Sequence, residues 1–113
     1  MKQARFQIRY EPEVTGFIAK LAKVPQKQVE RDFEKLAGRG LKARPPLTGH
    51  IEGPIWELRS KVAGYGLYRI FYYRDGAASF HAFYPYHKKD NRLPNRVRVE
   101  VLGRYEQLTG KKP

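Results

Sequence analysis

Residues 55–76 read IWELRSKVAGYGLYRIFYYRDG, and this stretch decides the fold. It holds two β-type runs, 55–62 and 67–74, separated by Ala63-Gly64-Tyr65. Side chains alternate across a strand. Trp56, Leu58 and Val62 therefore share one face, while Glu57, Arg59 and Lys61 share the other. In the second run Tyr68, Ile70 and Tyr72 oppose Leu67, Arg69, Phe71 and Tyr73. A three-residue loop at 63–65 predicts Leu58 opposite Ile70 and Arg59 opposite Arg69. Like charges directly across a strand pair are destabilising. The arginine pair is a cost unless an anion lies between the two guanidiniums. A phosphate fits that role. The alternative is that Glu57 neutralises one arginine and the pair is structural.

Outward from this hairpin, Asp75-Gly76 is a strong turn signal and predicts a third strand over 78–86. A two-residue turn and a three-residue loop ending at Ala77 give that strand opposite pairings. The face taken by Phe80, Phe83, Tyr84 and Tyr86 therefore stays open between core packing and base stacking. On the N-terminal side, Arg5 to Tyr10 alternates as a short half-buried strand. Glu11-Pro12 opens a helix with the apolar stripe Val14, Phe17, Ile18 and Leu21. Val24-Pro25 restarts it, Val29, Phe33, Leu36 and Ala37 form a second stripe, and Gly38 predicts the stop. The two stripes predict an antiparallel helix pair. Gly40 to Pro54 reads as a basic loop carrying Lys42 and Arg44. After an irregular basic stretch, Asn95 predicts an N-cap. Val97, Val101, Leu102, Tyr105 and Leu108 line a final helix. The fold class is α+β: an N-terminal strand, a helix pair, an antiparallel sheet and a C-terminal helix in one domain over residues 1–113. Helices are expected on one face of the sheet, with the other at least partly open.

Lys and Arg number 23 against 11 Asp and Glu, a formal net charge of +12. On a chain of 113 residues such an excess points to an anionic partner, nucleic acid first. The absence of Cys excludes disulfides and thiolate metal sites and fits a cytoplasmic setting. No signal peptide is predicted from Met-Lys-Gln-Ala-Arg-Phe, and no apolar run is long enough to span a bilayer.

Chemistry concentrates in the strand arginines and in His87-Lys88-Lys89-Asp90-Asn91-Arg92, which leaves the third strand. That loop is placed to border the Arg59–Arg69 face, and its cations suit phosphate contacts. Lys42, Arg44, Lys61 and Arg92 are the candidate RNA-binding residues. Cleaving RNA through attack of a 2′-hydroxyl needs a base, an acid and charge stabilisation. Arg59 and Arg69 suit the last, and His87, Lys88 or Lys89 suit proton transfer. A lysine acting as base near neutrality needs a lowered pKa, which cationic neighbours favour. His50, His81 and His87 have no metal-binding spacing, and His81 reads as a satisfied sheet histidine. No metal or cofactor is called for.

Taken together, Ile55-Trp56-Glu57-Leu58-Arg59, Gly66-Leu67-Tyr68-Arg69-Ile70-Phe71-Tyr72, His81-Ala82-Phe83, Lys88-Lys89 and Leu93-Pro94 resemble the RelE/HigB-like toxin family. The likeness is to its phage-derived Gp49-like branch. The resemblance implies a RelE/ParE-like fold and the toxin of a type II toxin–antitoxin pair. It also implies a ribosome-dependent mRNA endoribonuclease neutralised by a cognate antitoxin, expected to be a helix-turn-helix protein. It assigns Arg69 to stabilising the scissile phosphate, matches Arg59 to the basic position on the preceding strand, and matches Lys88 and Lys89 to the basic pair after the last strand. Tyr84-Pro85-Tyr86-His87 departs from the family pattern by lengthening the spacing from Phe83 to the lysines. The alternatives are a ParE-like toxin acting on gyrase and a non-catalytic RNA- or DNA-binding domain.

Overall fold

The central hairpin forms as its spacing predicts. The computed structural model describes residues 5–90 and 92–113. Met1–Ala4, where a leader was read as absent, and Asn91 of the basic loop lie outside them. The described elements are β1 (Gln7–Tyr10), α1 (Pro12–Ala19), α2 (Lys23–Arg39), β2 (Thr48–Glu52), β3 (Ile55–Val62), β4 (Gly66–Gly76), β5 (Ser79–Lys88) and α3 (Asn95–Thr109). A short 3-10 turn at Gly40–Lys42 follows α2. The five strands form one sheet in the order β1-β5-β4-β3-β2. β1 runs parallel to β5 and every other pair is antiparallel. The architecture is α+β, and it is consistent with a RelE-like fold. Among the described residues, no helix is long and apolar enough to cross a membrane.

Helices cover both faces of the sheet, which corrects the one-sided packing expected from the sequence. On one side, Val14, Val29, Phe33 and Leu36 of α1 and α2 pack with Leu58, Tyr68, Ile70, Tyr72 and Phe80. On the other, Val97, Val101 and Tyr105 of α3 pack with Ile55, Phe71, Tyr73 and Phe83. The physical reason is that β4 is apolar on both faces: only Arg74 among residues 67–74 is exposed. A strand buried on both sides needs a cover on both sides.

Four local readings change. First, α2 runs on to Arg39, and Gly40 rather than Gly38 ends it. Gly40 takes a positive φ of 55°, which side-chain-bearing residues adopt at a cost, and its N–H donates to the Leu36 carbonyl. Second, the segment read as a loop contains β2, which pairs with β3 from Thr48–Leu58 to Glu52–Ile55. Third, the second hairpin turns at Ala77-Ala78, because Gly76 pairs with Ser79 and Asp75 is an extra residue in β4. Asp75 accepts a hydrogen bond from the Ser79 hydroxyl, and Arg74 donates to the Gly76 and Ala77 carbonyls at 2.9 and 2.8 Å. Those side-chain bonds tie off a turn one residue pair beyond Asp75-Gly76. Fourth, Pro94 occupies the cap of α3 and Asn95 is its first helical residue.

A second irregularity decides the faces of β5. Phe71 pairs with Tyr84 but Tyr72 pairs with Ala82, so Phe83 is an inserted residue. A bulge of this kind puts two successive side chains on one side. Phe83, Tyr84 and Tyr86 consequently join the α3 side, and Phe80 and Ala82 join the α1–α2 side.

His81 is a satisfied sheet histidine, as its setting in a strand suggested. Its Nε2 lies 3.2 Å from Glu11 and its Nδ1 lies 3.5 Å from Asp75. The ring stacks on Tyr73 at 5.4 Å between centroids.

Candidate functional site

Arg59 and Arg69 are direct partners across β3 and β4, as the three-residue loop demands. Their face continues as Glu57–Phe71 on one side and Lys61–Leu67 on the other. Across β4 and β5, Arg69 pairs with Tyr86 and Leu67 with Lys88. The site thus lies on the α3 side of the sheet, beyond the apolar cluster that α3 buries. Arg69 forms its floor at 6% exposure, while Lys61 and Lys88 are exposed at its rim.

An anion does lie between the arginines, and it is Glu57. Its Oε1 is 3.5 Å from Arg59 Nε and its Oε2 is 3.7 Å from Arg69 Nε. One carboxylate therefore faces two guanidiniums rather than neutralising one. The carboxylate is only 5% exposed. Glu57 Oε2 and Arg59 Nε are buried with no hydrogen-bond partner. At 3.5 and 3.7 Å these two contacts of Glu57 are ionic. Gly49 on β2 makes room for it, since a Cβ there would stand 3.3 Å from Glu57 Oε1.

Burial pushes the Glu57 carboxyl up from its ordinary value, and the pull of Arg69 and Arg59 in the other direction is the smaller effect. The sign of its effect on stability follows. A carboxyl whose folded pKa is raised takes up a proton in the folded state before it does so in the unfolded chain. Its contribution to stability therefore increases as pH falls from the raised value toward the ordinary 4.5. Glu57→Gln is expected to remove that increment. Urea denaturation of both chains across this window measures the difference, and parallel pH profiles would refute it.

The remaining predicted residues divide by face. Gly66 lets the Lys88–Lys89 backbone close on the hairpin. It has a φ of 101°, and a Cβ there would meet Lys89 Cα at 2.8 Å and the Lys88 carbonyl at 2.9 Å. Lys88 thereby sits on the arginine face, through its pairing with Leu67. Lys89 borders a small groove with Lys61 at the hairpin loop. Arg92 is exposed beyond β5. His87 is parted from the arginines: it pairs with Tyr68, on the α1–α2 side. Its ring stacks on Tyr68 at 3.8 Å and its Nε2 donates to the Tyr65 carbonyl at 2.6 Å. Lys42 and Arg44 are exposed on the connection from α2 to β2. Two features escaped the sequence reading. Tyr86 stands beside Arg69, which the turn at Ala77-Ala78 and the two bulges together decide. Lys35 and Arg39 of α2 come up beside Arg59 and Lys61, and nothing in the helical pattern signals that.

A five-strand mixed sheet with three helices, one of them C-terminal, is consistent with a RelE-like fold. A family model described as Phage derived protein Gp49-like matches residues 16–106, and the chain belongs to that family. The match takes in β2 to β5 and with them Arg59, Arg69, Lys88 and Lys89. No curated protein matches the chain.

Proposed function

We propose that this chain is the toxin of a type II toxin–antitoxin pair, a metal-independent endoribonuclease that cuts mRNA on the ribosome. On this reading it acts in the cytoplasm and is silenced by a cognate helix-turn-helix antitoxin. The observation that carries it is the Arg59–Arg69 pair on a cation-rimmed face, in a chain of the Gp49-like family. In the reaction the 2′-oxygen bonds to phosphorus and the bond from phosphorus to the 5′-oxygen breaks. Negative charge builds on the phosphoryl oxygens in between. Arg59 meets that charge from the rim and Arg69 from the floor, in a partly desolvated setting where fixed charge acts strongly. Lys88 Nζ gives a proton to the leaving 5′-oxygen, and the 2′-hydroxyl proton passes to water at the exposed rim. Lys89, Lys61 and Arg92 hold flanking phosphates.

Ribosome dependence has its own support. The carboxylate of this face is buried with the arginines, and the imidazole of His87 lies on the far face. Neither is placed to take the 2′-hydroxyl proton unaided. Free RNA is therefore expected to be cut poorly, with the message aligned for attack once bound in the ribosome.

The test is to induce the chain in cells and map new 5′ ends of mRNA. In-frame cuts confined to translated regions support the reading. Intact messages together with a DNA-damage response would transfer the chain to the gyrase-directed class. Salt-sensitive RNA binding with no cleavage on free or ribosome-bound message would leave a binding domain only.

A further inference from the structure

We infer that Tyr65, at the tip of the β3–β4 hairpin, is a stacking platform for a base of the RNA strand that flanks the cleaved bond. This inference rests on the RNA-directed reading above. Tyr65 borders a groove of about 310 Å³ that Lys61 and Lys89 also line.

The ring is exposed and uncommitted. Tyr65 is 37% exposed, at a hairpin tip where there is no core for an aromatic side chain to fill. Among the described residues no ring stacks on it and no group bonds its hydroxyl. Burial raises the Tyr68 phenol and Tyr65 adds to that shift, which sets the two phenols near each other at the hairpin end. Gly64 beside it faces empty space, since a Cβ there would meet nothing within 4 Å.

The backbone that carries the ring is fixed. The Tyr65 N–H donates to the Val62 carbonyl at 2.9 Å, and His87 Nε2 donates to the Tyr65 carbonyl at 2.6 Å. His87 is held in turn by its stacking on Tyr68. Gly66, the next residue, closes on the Lys88–Lys89 backbone. A base arriving at this ring therefore has little chain to order, which lowers the cost of binding.

The surroundings favour a nucleotide. Lys61 and Lys89 are exposed, and among the described residues neither is paired with a carboxylate. No acidic residue lines the groove. Rings set among cations are how single strands are held without regard to sequence, with bases on the ring and phosphates on the ammonium groups. Lys61 shares the strand face of Arg59, so a backbone bound at the arginines continues past Lys61 to the hairpin tip. Tyr65 precedes Arg69 by four residues, about 13 Å of extended chain. The stacked base thus belongs to a flanking nucleotide, and Tyr65 is a positioning residue that fixes where the strand lies.

The experiment is fluorescence anisotropy of a labelled 2′-O-methyl oligoadenylate, which cannot be cut, against the full chain. A strand of the same length with abasic inner positions is run beside it over the same salt series. Tyr65→Ala is expected to weaken oligoadenylate binding by about fivefold to a hundredfold. It is expected to leave the abasic strand and the salt slope unchanged. Tyr65→Phe keeps the ring and is expected to bind as wild type does. Lys61→Ala/Lys89→Ala is expected to lower the slope of log affinity against log salt by about 1.4, from about 0.7 for each phosphate contact. Unchanged oligoadenylate binding in Tyr65→Ala overturns the inference and leaves the ring to a protein partner. An equal loss on the abasic strand also overturns it, because the substitution would then act through the shape of the hairpin. Cleavage in cells is scored separately. If wild type cuts mRNA while Tyr65→Ala binds oligoadenylate normally, the platform fails and the function stands. If Tyr65→Ala loses the base-dependent affinity but wild type cuts no mRNA, the function fails and the platform stands.

Discussion

Arg69→Ala is expected to lower mRNA cleavage by about a hundredfold to a thousandfold, the usual effect of removing one preorganised donor of charge stabilisation. The size of the effect comes from position. Arg69 sits on the central strand, with Arg59 across one side and Tyr86 across the other. At 6% exposure its guanidinium is held in place before any substrate arrives. The alanine chain also leaves Glu57 facing Arg59 alone, so its folding must be followed alongside its activity. Arg69→Lys serves as the companion variant. It keeps a cation near Glu57 but loses the planar fork, and an intermediate activity is expected. Growth inhibition after induction and the yield of new mRNA ends are the readouts. A folded Arg69→Ala chain that cuts mRNA as wild type does would remove Arg69 from the mechanism.

Phe71→Ala is expected to cost about 3–5 kcal/mol of folding stability. Phe71 is fully buried and packs in the cluster formed with Ile55, Phe83, Val97 and Val101. Tyr84 meets it edge-on at 6.1 Å between centroids. Domains of this size have only about 5–15 kcal/mol in hand, so this one truncation consumes much of the margin. Trp56→Ala is the contrast, because Trp56 is 38% exposed and lies on the α1–α2 side. Equilibrium urea denaturation separates the two. A loss at Phe71 no larger than that at Trp56 would mean that α3 does not pack on the arginine side of the sheet. The effect bears on function as well, since Phe71 is the next same-face residue after Arg69 on β4. The α3 cluster thus braces the floor of the site.

The arginine pair was readable in the sequence because its register is local. The loop at 63–65 is short, chain connectivity allows one pairing, and period-two alternation then puts Arg59 beside Arg69 on the face away from Leu58 and Ile70. The stripes of α1 and α2 were readable for the same reason, since contacts three and four residues apart define them. The family motifs Ile55–Arg59 and Gly66–Tyr72 fall in this local part of the chain as well.

What lay beyond reach depends on residues far apart in sequence. Asp75 and Phe83 are inserted residues on facing strands, and their shifts of register cancel beyond Phe71–Tyr84. The turn at Ala77-Ala78 with both bulges places His87 opposite Tyr68 and Tyr86 opposite Arg69, and the sequence shows none of the three. β2 is too short and too glycine-bearing to announce itself, and β3 is what makes it a strand. The apolar stripe of α3 shows in the sequence, but only docking against Phe71 and Phe83 selects the sheet face it covers. Glu57 was visible as the neighbour of Arg59. Its standing as the anion between two arginines came from burial and from Gly49 on β2. The chain by itself thus determined α+β elements, a basic surface and two arginines abreast, because hairpin register and helical periodicity act over a few residues. The tertiary structure alone decided which groups share their face, because bulges, edge pairing and helix docking are settled by contacts across the whole fold.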